Sequence, residues 1–314
     1  MYSYQLDYPI KSHIIEPDGI VLVLGFFDGV HLGHRKLIET GKKIADKKGL
    51  KLGIMTMNAH PSQIYGSEQT SVPLIMTTSE KKKIMDQIGV DIFYVGNFNG
   101  PLAKVQPDEF VNDVLIKMNV KAVVAGFDYT FGQKEVANMS LLKQKAQGKF
   151  EVYEVDSQNK NGKKISSSRI RRLIEQGDVD QANNLLGSVY QTSGKVIHGF
   201  KRGRQLGFPT ANIESNNNKV RLASGVYTVK LRVQNQWYQG MASVGYNITF
   251  DDVKDLSVEV NIFDFDEDIY DEIVDVRWHH YLRPEEKYPS INALIDQLKQ
   301  DEADSKAYFE TLKK

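Results

Sequence analysis

Between residue 20 and about residue 150, short runs of branched apolar residues alternate with stretches whose apolar positions recur at helical spacing. That rhythm marks strand and helix units wound onto a mostly parallel sheet. Ile20–Leu24, Leu52–Met57, Ile92–Val95 and Ala122–Ala125 read as strands. His34–Lys48, Ser79–Ile88 and Pro107–Met118 read as helices between them. Thr78 or Ser79 is placed to cap the second helix, and Pro107 suits the first turn of the third. The chain turns at Asn159–Gly162 and re-enters helix over Ser166–Gly177 and Val179–Leu186, where Gly187 supplies the stop.

Past Gly187 the rhythm changes. From Tyr190 to about Trp278, short alternating segments, glycine turns and many aromatic residues point to an antiparallel barrel or sandwich. A last helix, Ser290–Lys313, is expected to pack on that barrel and cover an edge. The 314 residues therefore divide into an α/β domain over 1–187 and a small antiparallel β domain with a terminal helix over 188–314.

Composition narrows the chemistry. Forty Lys and Arg balance forty Asp and Glu, so no global field draws nucleic acid or anionic lipid. The absence of cysteine removes disulfides, thiolate nucleophiles and cysteine-based metal centres. The N-terminus lacks a signal-peptide pattern, and the longest apolar stretch, Ile20–Phe27, is far short of a membrane span. The expectation is a soluble cytoplasmic protein with small-molecule partners, no membrane and no nucleic acid.

Two strings carry chemistry. Gly25–His34, GFFDGVHLGH, follows a buried strand and opens a helix, the place where α/β proteins receive nucleotide phosphates. Gly25, Gly29 and Gly33 admit close backbone approach, the helix start offers unpaired N–H groups, and His31 and His34 add side-chain donors. Further along, Ser166, Ser167 and Ser168 with Arg169 and Arg171 combine hydroxyls and forked cations at another helix start. Alone, that second group reads more readily as a serine cap followed by solvated arginines.

The other string is Gly194–Asn212, GKVIHGFKRGRQLGFPTAN. Gly199, Gly203 and Gly207 make a pliant loop, and Lys201, Arg202 and Arg204 bring positive charge to polyphosphate. Pro209 stiffens the entry to Thr210 and Asn212, whose side-chain oxygens are hard ligands suited to Mg²⁺. In Ser257–Ile262, alternation puts Val258, Val260 and Ile262 on one face and Glu259 on the other. Spacing alone leaves Glu259 equally a solvated strand carboxylate. Asp264, Asp266 and Asp268 lack the glycine and terminal glutamate of a calcium loop and read as a turn. Trp237 and Trp278 read as core or interface aromatics, His279 and His280 as exposed strand histidines.

H-x-G-H after a strand is the signature of α/β nucleotidyltransferases, and GFFDGVHLGH resembles the adenylyltransferase module of bacterial FAD synthetases. The likeness extends through Asn58-Ala59-His60-Pro61, Gly126–Gly132 and Ile165–Arg171. The second string resembles the riboflavin kinase module of the same bifunctional enzymes, together with Gly240–Asn247, Ser257–Ile262 and Leu282–Tyr288. This family resemblance implies a Rossmann-like nucleotidyltransferase domain and a β-barrel kinase domain. The implied reactions convert riboflavin and ATP to FMN, then FMN and ATP to FAD and pyrophosphate, with ATP as co-substrate and Mg²⁺ at both steps.

The resemblance also implies roles. His31 and His34 would serve catalysis on ATP, with Gly25, Phe26, Asp28, Gly29, Gly33, Ser166, Ser167, Ser168, Arg169 and Arg171 around its phosphates. Asn58, His60, Asp128 and Phe131 would hold flavin. In the kinase, Gly199, Lys201, Arg204 and Gly207 would meet phosphate, Thr210 and Asn212 the metal, and Glu259 would be the base. Arg283 would sit on a mobile loop near the flavin. Ala59 stands where a proline commonly precedes the His-Pro pair, and Gln133–Asn138 stand where an Arg and a Gly usually follow. The residues leave open a kinase with a degenerate N-terminal half, or a flavin sensor without turnover. A monomer or weak homo-oligomer is expected.

Overall fold

The computed structural model describes residues 1–59, 72–97, 100–132, 135–199, 202–214, 218–248 and 254–313. His60 and Lys201 lie outside the described residues. The chain forms two compact units, Met1–Ser167 and Ser168–Lys314.

The first unit is a six-stranded parallel sheet in the order β1-β4-β3-β2-β5-β6. Its strands are β1 (Tyr2–Leu6), β2 (Ile20–Leu24), β3 (Lys51–Met57), β4 (Ile92–Gly96), β5 (Val120–Gly126) and β6 (Glu151–Val155). Helix α1 (Leu32–Lys48) follows β2, α2 (Thr78–Gln87) precedes β4, and α3 (Pro107–Glu109) runs on into π-helical turns over Phe110–Ile116. Helix α4 (Met139–Ala146) lies between β5 and β6. Every residue of β2 is buried, as a strand covered on both faces requires, which explains its unbroken apolar run.

Four strands and three helices lie where the apolar pattern put them, within a few residues. The cap of α2 is Thr77, not Thr78 or Ser79. Its hydroxyl accepts from the Glu80 N–H, and the Glu80 carboxylate accepts from the Thr77 N–H, a reciprocal capping box. Strands β1 and β6 escaped the pattern because they are the two sheet edges, half exposed and mixed in polarity. At Asn159–Gly162 the turn closes a hairpin of β7 (Asn159–Lys160) and β8 (Lys163–Lys164), with φ of 55° at Asn161 and 70° at Gly162.

Helix α5 (Ser167–Glu175) starts at the last residue of the first unit and runs into the second, where α6 (Val179–Leu186) follows, ended by Gly187 at φ 68°. A closed antiparallel barrel follows, in the order β10-β13-β12-β11-β14-β9. Its strands are β9 (Tyr190–Ile197), β10 (Ala211–Ile213), β11 (Gly225–Val233), β12 (Gln236–Ile248), β13 (Lys254–Ile262) and β14 (Ile273–Arg283). The short helix α7 (Arg202–Gln205) lies between β9 and β10.

Helix α8 (Ile291–Thr311), capped by Ser290, packs on β11, β12 and β14. It therefore covers a face of the barrel; closure leaves no edge for it to cover. This contact also corrects the reading of His279. A register shift in β14 between the partners of Thr228 and Val229 lets Trp278 and His279 both be buried, and His279 lies against the Phe309 ring of α8. Its burial depresses the imidazole pKa to about 4. His280 remains half exposed and pairs with Asp180 of α6 at 2.8 Å. Asp264 lies in a turn, with φ of 54°, and Asp266 and Asp268 follow in irregular chain.

Candidate active sites

In the first unit, β2 lies between β3 and β5, so consecutive strands leave it in opposite directions across the sheet. The carboxyl ends of strands at such a reversal form the usual ligand crevice of an open α/β sheet. The Gly25–His34 turn lies there, with Asn58 and Asn97 after β3 and β4 and Gly126–Phe131 after β5.

The turn is tightly wound. Phe27, Gly29 and Val30 all have positive φ, at 55°, 85° and 39°, and the Val30 N–H closes on the Phe27 carbonyl at 3.2 Å. A β-branched residue in that region is costly, and the complete burial of Phe27 and Val30 offsets the strain. Asp28 points inward, 1% exposed, and its carboxylate accepts from the Ile75 and Met76 N–H groups at 3.0 Å. Beneath the turn, the Phe26 carbonyl accepts from Thr56 Oγ1 at 2.8 Å and from Lys81 Nζ at 3.1 Å.

His31 caps α1, its Nδ1 accepting from the His34 N–H at 3.3 Å. The two imidazoles stack, with centroids 3.6 Å apart and planes 13° apart. Burial holds His31 at a pKa of about 4, despite the opposing pull of Asp28. Burial also drives His34 well below its ordinary value, and His31 and Lys81 push in the same direction. His34 Nδ1 is buried with no hydrogen-bond partner among the described residues. Both rings are thus neutral near pH 7, able to donate from one nitrogen each. The Ser167 hydroxyl donates to the Asp28 carbonyl at 2.8 Å, within the first unit.

Around the turn, exposed Asn58 donates to Asn97 Oδ1 at 3.3 Å. Asp128, also exposed, pairs with Lys164 at 2.6 Å. Phe131 stacks on Phe110 with centroids 5.4 Å apart. Ser168, Arg169 and the largely buried Arg171 stand on α5 in the second unit. Lys81 had no part in the sequence reading. It sits in a Lys81-Lys82-Lys83 run, yet it is 1% exposed. The signal was its place four residues before buried Met85, on the inward stripe of α2.

In the second unit, register assembles the cluster. Asn212 of β10 lies opposite Glu259 of β13, and Glu259 lies opposite Ser243 of β12. Val258, Val260 and Ile262 are buried on one face of β13, and Glu259 and Asn261 lie on the other, where Glu259 is half buried and Asn261 buried. Thr210 Oγ1 donates to Glu259 Oε2 at 3.2 Å, and Asn261 Nδ2 donates to the Pro209 carbonyl at 2.7 Å. Asn261, which the sequence reading passed over, thereby holds the Pro209–Asn212 segment onto β13. A Cβ on Gly199 would come within 2.2 Å of Asn212 Nδ2, so only glycine lets the loop lie over that side chain. Arg204 is exposed on α7, and Gly207 has φ of 83°.

Arg283 is the last residue of β14, rather than a loop residue. Its guanidinium makes a two-pronged pair with buried Asp301 of α8 at 2.9 and 2.7 Å. Glu285 accepts from Ser224 at 2.8 Å and lies against Gly245 of β12. Among the described residues, no group of three or more His, Cys, Asp or Glu is placed to hold a metal ion, and no helix is long and apolar enough to cross a membrane.

A phosphate-type turn on a parallel sheet, joined in one chain to a barrel carrying a hydroxyl, amide and carboxylate cluster, describes a two-module nucleotide-using transferase. The family model for FAD synthetase matches residues 13–169, and that for riboflavin kinase matches 186–309. The chain belongs to the bifunctional riboflavin kinase/FMN adenylyltransferase family. It is 44% identical to the protein of that name from Listeria monocytogenes, over 99% of both chains. To the one from Bacillus subtilis it is 40% identical, over 94% of both. A crystal structure from Streptococcus pneumoniae, described as a macrolide-efflux protein, has the same fold at TM-score 0.89 and 37% identity. It covers 98% of this chain and 99% of that one.

Proposed function

We propose that the chain makes FMN and then FAD. In the first reaction the ribityl hydroxyl of riboflavin attacks the γ-phosphorus of ATP, a new P–O bond forms, and ADP leaves with the β,γ-bridging oxygen. In the second, a phosphate oxygen of FMN attacks the α-phosphorus of another ATP, and pyrophosphate leaves. Residues 188–314 carry the first and residues 1–187 the second. Both family matches and the near full-length relatives support this reading.

Glu259 takes or orients the proton of the attacking hydroxyl, because a general base must lie within hydrogen-bond reach of it. Thr210 and Asn212, with Glu259 beside them, form a hard-oxygen set that fits Mg²⁺. When bound, that ion would offset the charge of the ATP phosphates. Gly199, Arg204 and Gly207 let the loop close on phosphate, and Arg283 serves the flavin side. The meeting of Thr210, Asn212 and Glu259 across two strands is the observation that carries the kinase assignment.

In the first unit, His31 and His34 donate hydrogen bonds to ATP oxygens as charge builds at the α-phosphorus. No covalent enzyme intermediate is required. Gly25, Gly29 and Gly33 shape the anion-receiving turn, Phe26 and Asp28 hold it, and Ser166 and Ser167 supply hydroxyls for phosphate. Asn58, Asp128 and Phe131 stand on the flavin side. Mg²⁺ accompanies ATP at this step too. The protein works in the cytoplasm on small molecules, as a monomer or weak homo-oligomer, without nucleic acid or membrane.

The test is a time course. Purified protein with riboflavin, ATP and Mg²⁺ should show FMN first and FAD after it, resolved by chromatography. FMN as the sole product would remove the adenylyltransferase, and no product would remove both activities.

A further inference from the structure

Lys81 is an ammonium group buried to 1% exposure beneath the Gly25–His34 turn. Burying such a group is costly, and an apolar side chain of the same length would fold there at least as well. Its surroundings show what the charge touches. Nζ donates to the Phe26 carbonyl at 3.1 Å and to Thr56 Oγ1 at 3.4 Å, and it lies 4.5 Å from the centre of the Phe26 ring. Thr56 donates to the same carbonyl at 2.8 Å. One side chain of α2 thus ties the end of β3 to the first residues of the turn after β2. The titratable groups that face it are Asp28 of the turn, which favours its charge, and His34 of α1, whose charging it opposes.

We propose that Lys81 is a positioning residue for adenylyl transfer, fixing the Phe26 carbonyl and placing a cation behind the turn that receives polyphosphate. This rests on the adenylyltransferase reading of the first unit. The ammonium does not reach substrate; it acts through the turn. It holds the Phe26 end of the strand-to-helix connection, while Asp28 holds the middle through Ile75 and Met76, and His31 holds the far end as the α1 cap. Burial depresses the Lys81 pKa to about 8, so at neutral pH the group remains a cation in the ligand-free protein. An anion arriving above the turn strengthens that charge.

The kinase unit of the same chain supplies an internal control. With FMN and ATP as substrates, Lys81→Met should lower kcat for FAD formation by about 100-fold, the order seen when reacting groups are misplaced from a distance. KM for FMN should stay within about twofold, since flavin contacts are not altered. Phosphorylation of riboflavin by the same molecules and the melting temperature of the first unit should be unchanged. Lys81→Gln, which keeps a hydrogen-bond donor without the charge, should show a similar loss. A wild-type kcat in Lys81→Met overturns the inference and leaves the adenylyltransferase reading standing. A fall in melting temperature in Lys81→Met, with full turnover in Lys81→Gln, also overturns it by reducing Lys81 to packing. Absence of FAD with the wild-type protein would overturn the reading and the inference together.

Discussion

The two candidate sites hold polyphosphate chemistry by different physical means. In the first unit the working groups are buried: His31 is 5% exposed, Lys81 and Asp28 are 1% exposed, and three residues of the turn have positive φ. In the second, Thr210, Asn212 and Glu259 are only half buried, and ordinary strand register brings them together. The first site therefore carries desolvation and strain that its surroundings must offset. The second needs little more than alignment of two strands and the closeness of one glycine loop. Function in the first should respond to charge and pH, and in the second to register and side-chain volume.

The largest effects should separate the two sites outright. His31→Ala should lower FAD formation from FMN by about 1000-fold, the scale of losing a preorganised donor, while riboflavin phosphorylation continues. Equal loss of both activities in a flavin time course would show that the sites are not separate. In the opposite sense, Asn212→Ala or Glu259→Gln should cut FMN formation by about 100-fold or more, with supplied FMN still converted to FAD.

The pH response should be larger in the first unit, where two buried histidines, His31 and His34, are held below their ordinary values. Unfolded His31 takes a proton below about pH 6.5, whereas folded His31 resists it down to about 4. Its contribution to stability is therefore complete above pH 6.5 and is lost as pH falls towards 4. For this buried group the loss is about 3 kcal/mol, with His34 adding in the same direction. Denaturant melts at pH 7 and pH 4.5 should show it, and His31→Gln should flatten it. His279 has a similarly depressed value under α8, so the second unit should respond as well. Probes in the separate units distinguish the two histidine effects.

A smaller effect tests close packing in the second site. Gly199→Ala should cost about 1–3 kcal/mol through the clash with Asn212, read as reduced kinase stability and turnover with the adenylyltransferase unchanged. Smallest of all, Thr77→Ala should remove the α2 cap and lower stability by about 1 kcal/mol in thermal melts.

Much of this fold was legible because its signals are local. The apolar runs of β2, β3, β4 and β5, the Gly187 stop and the Asn161-Gly162 turn each depend on residues near in sequence. The edge strands β1 and β6 were not legible, since an edge is defined by the neighbour it lacks. Of the second site, the sequence supplied Thr210, Asn212 and Glu259 but not Asn261, whose part depends on the Pro209 carbonyl lying across β13.

By itself the sequence determined the alternation of elements, the two strings at Gly25–His34 and Gly194–Asn212, and the residue types for phosphate and metal. Tertiary structure alone decided which polar groups are buried and against what. It put Lys81, on which the sequence was silent, into the floor of the turn, and took His279 from an exposed strand position to a place under α8 and Arg283 from a loop into a pair with Asp301. The reason is physical. Periodicity reports which face of an element is apolar, but the cost of burying a charge, and the partner that offsets it, exist only once distant elements pack together.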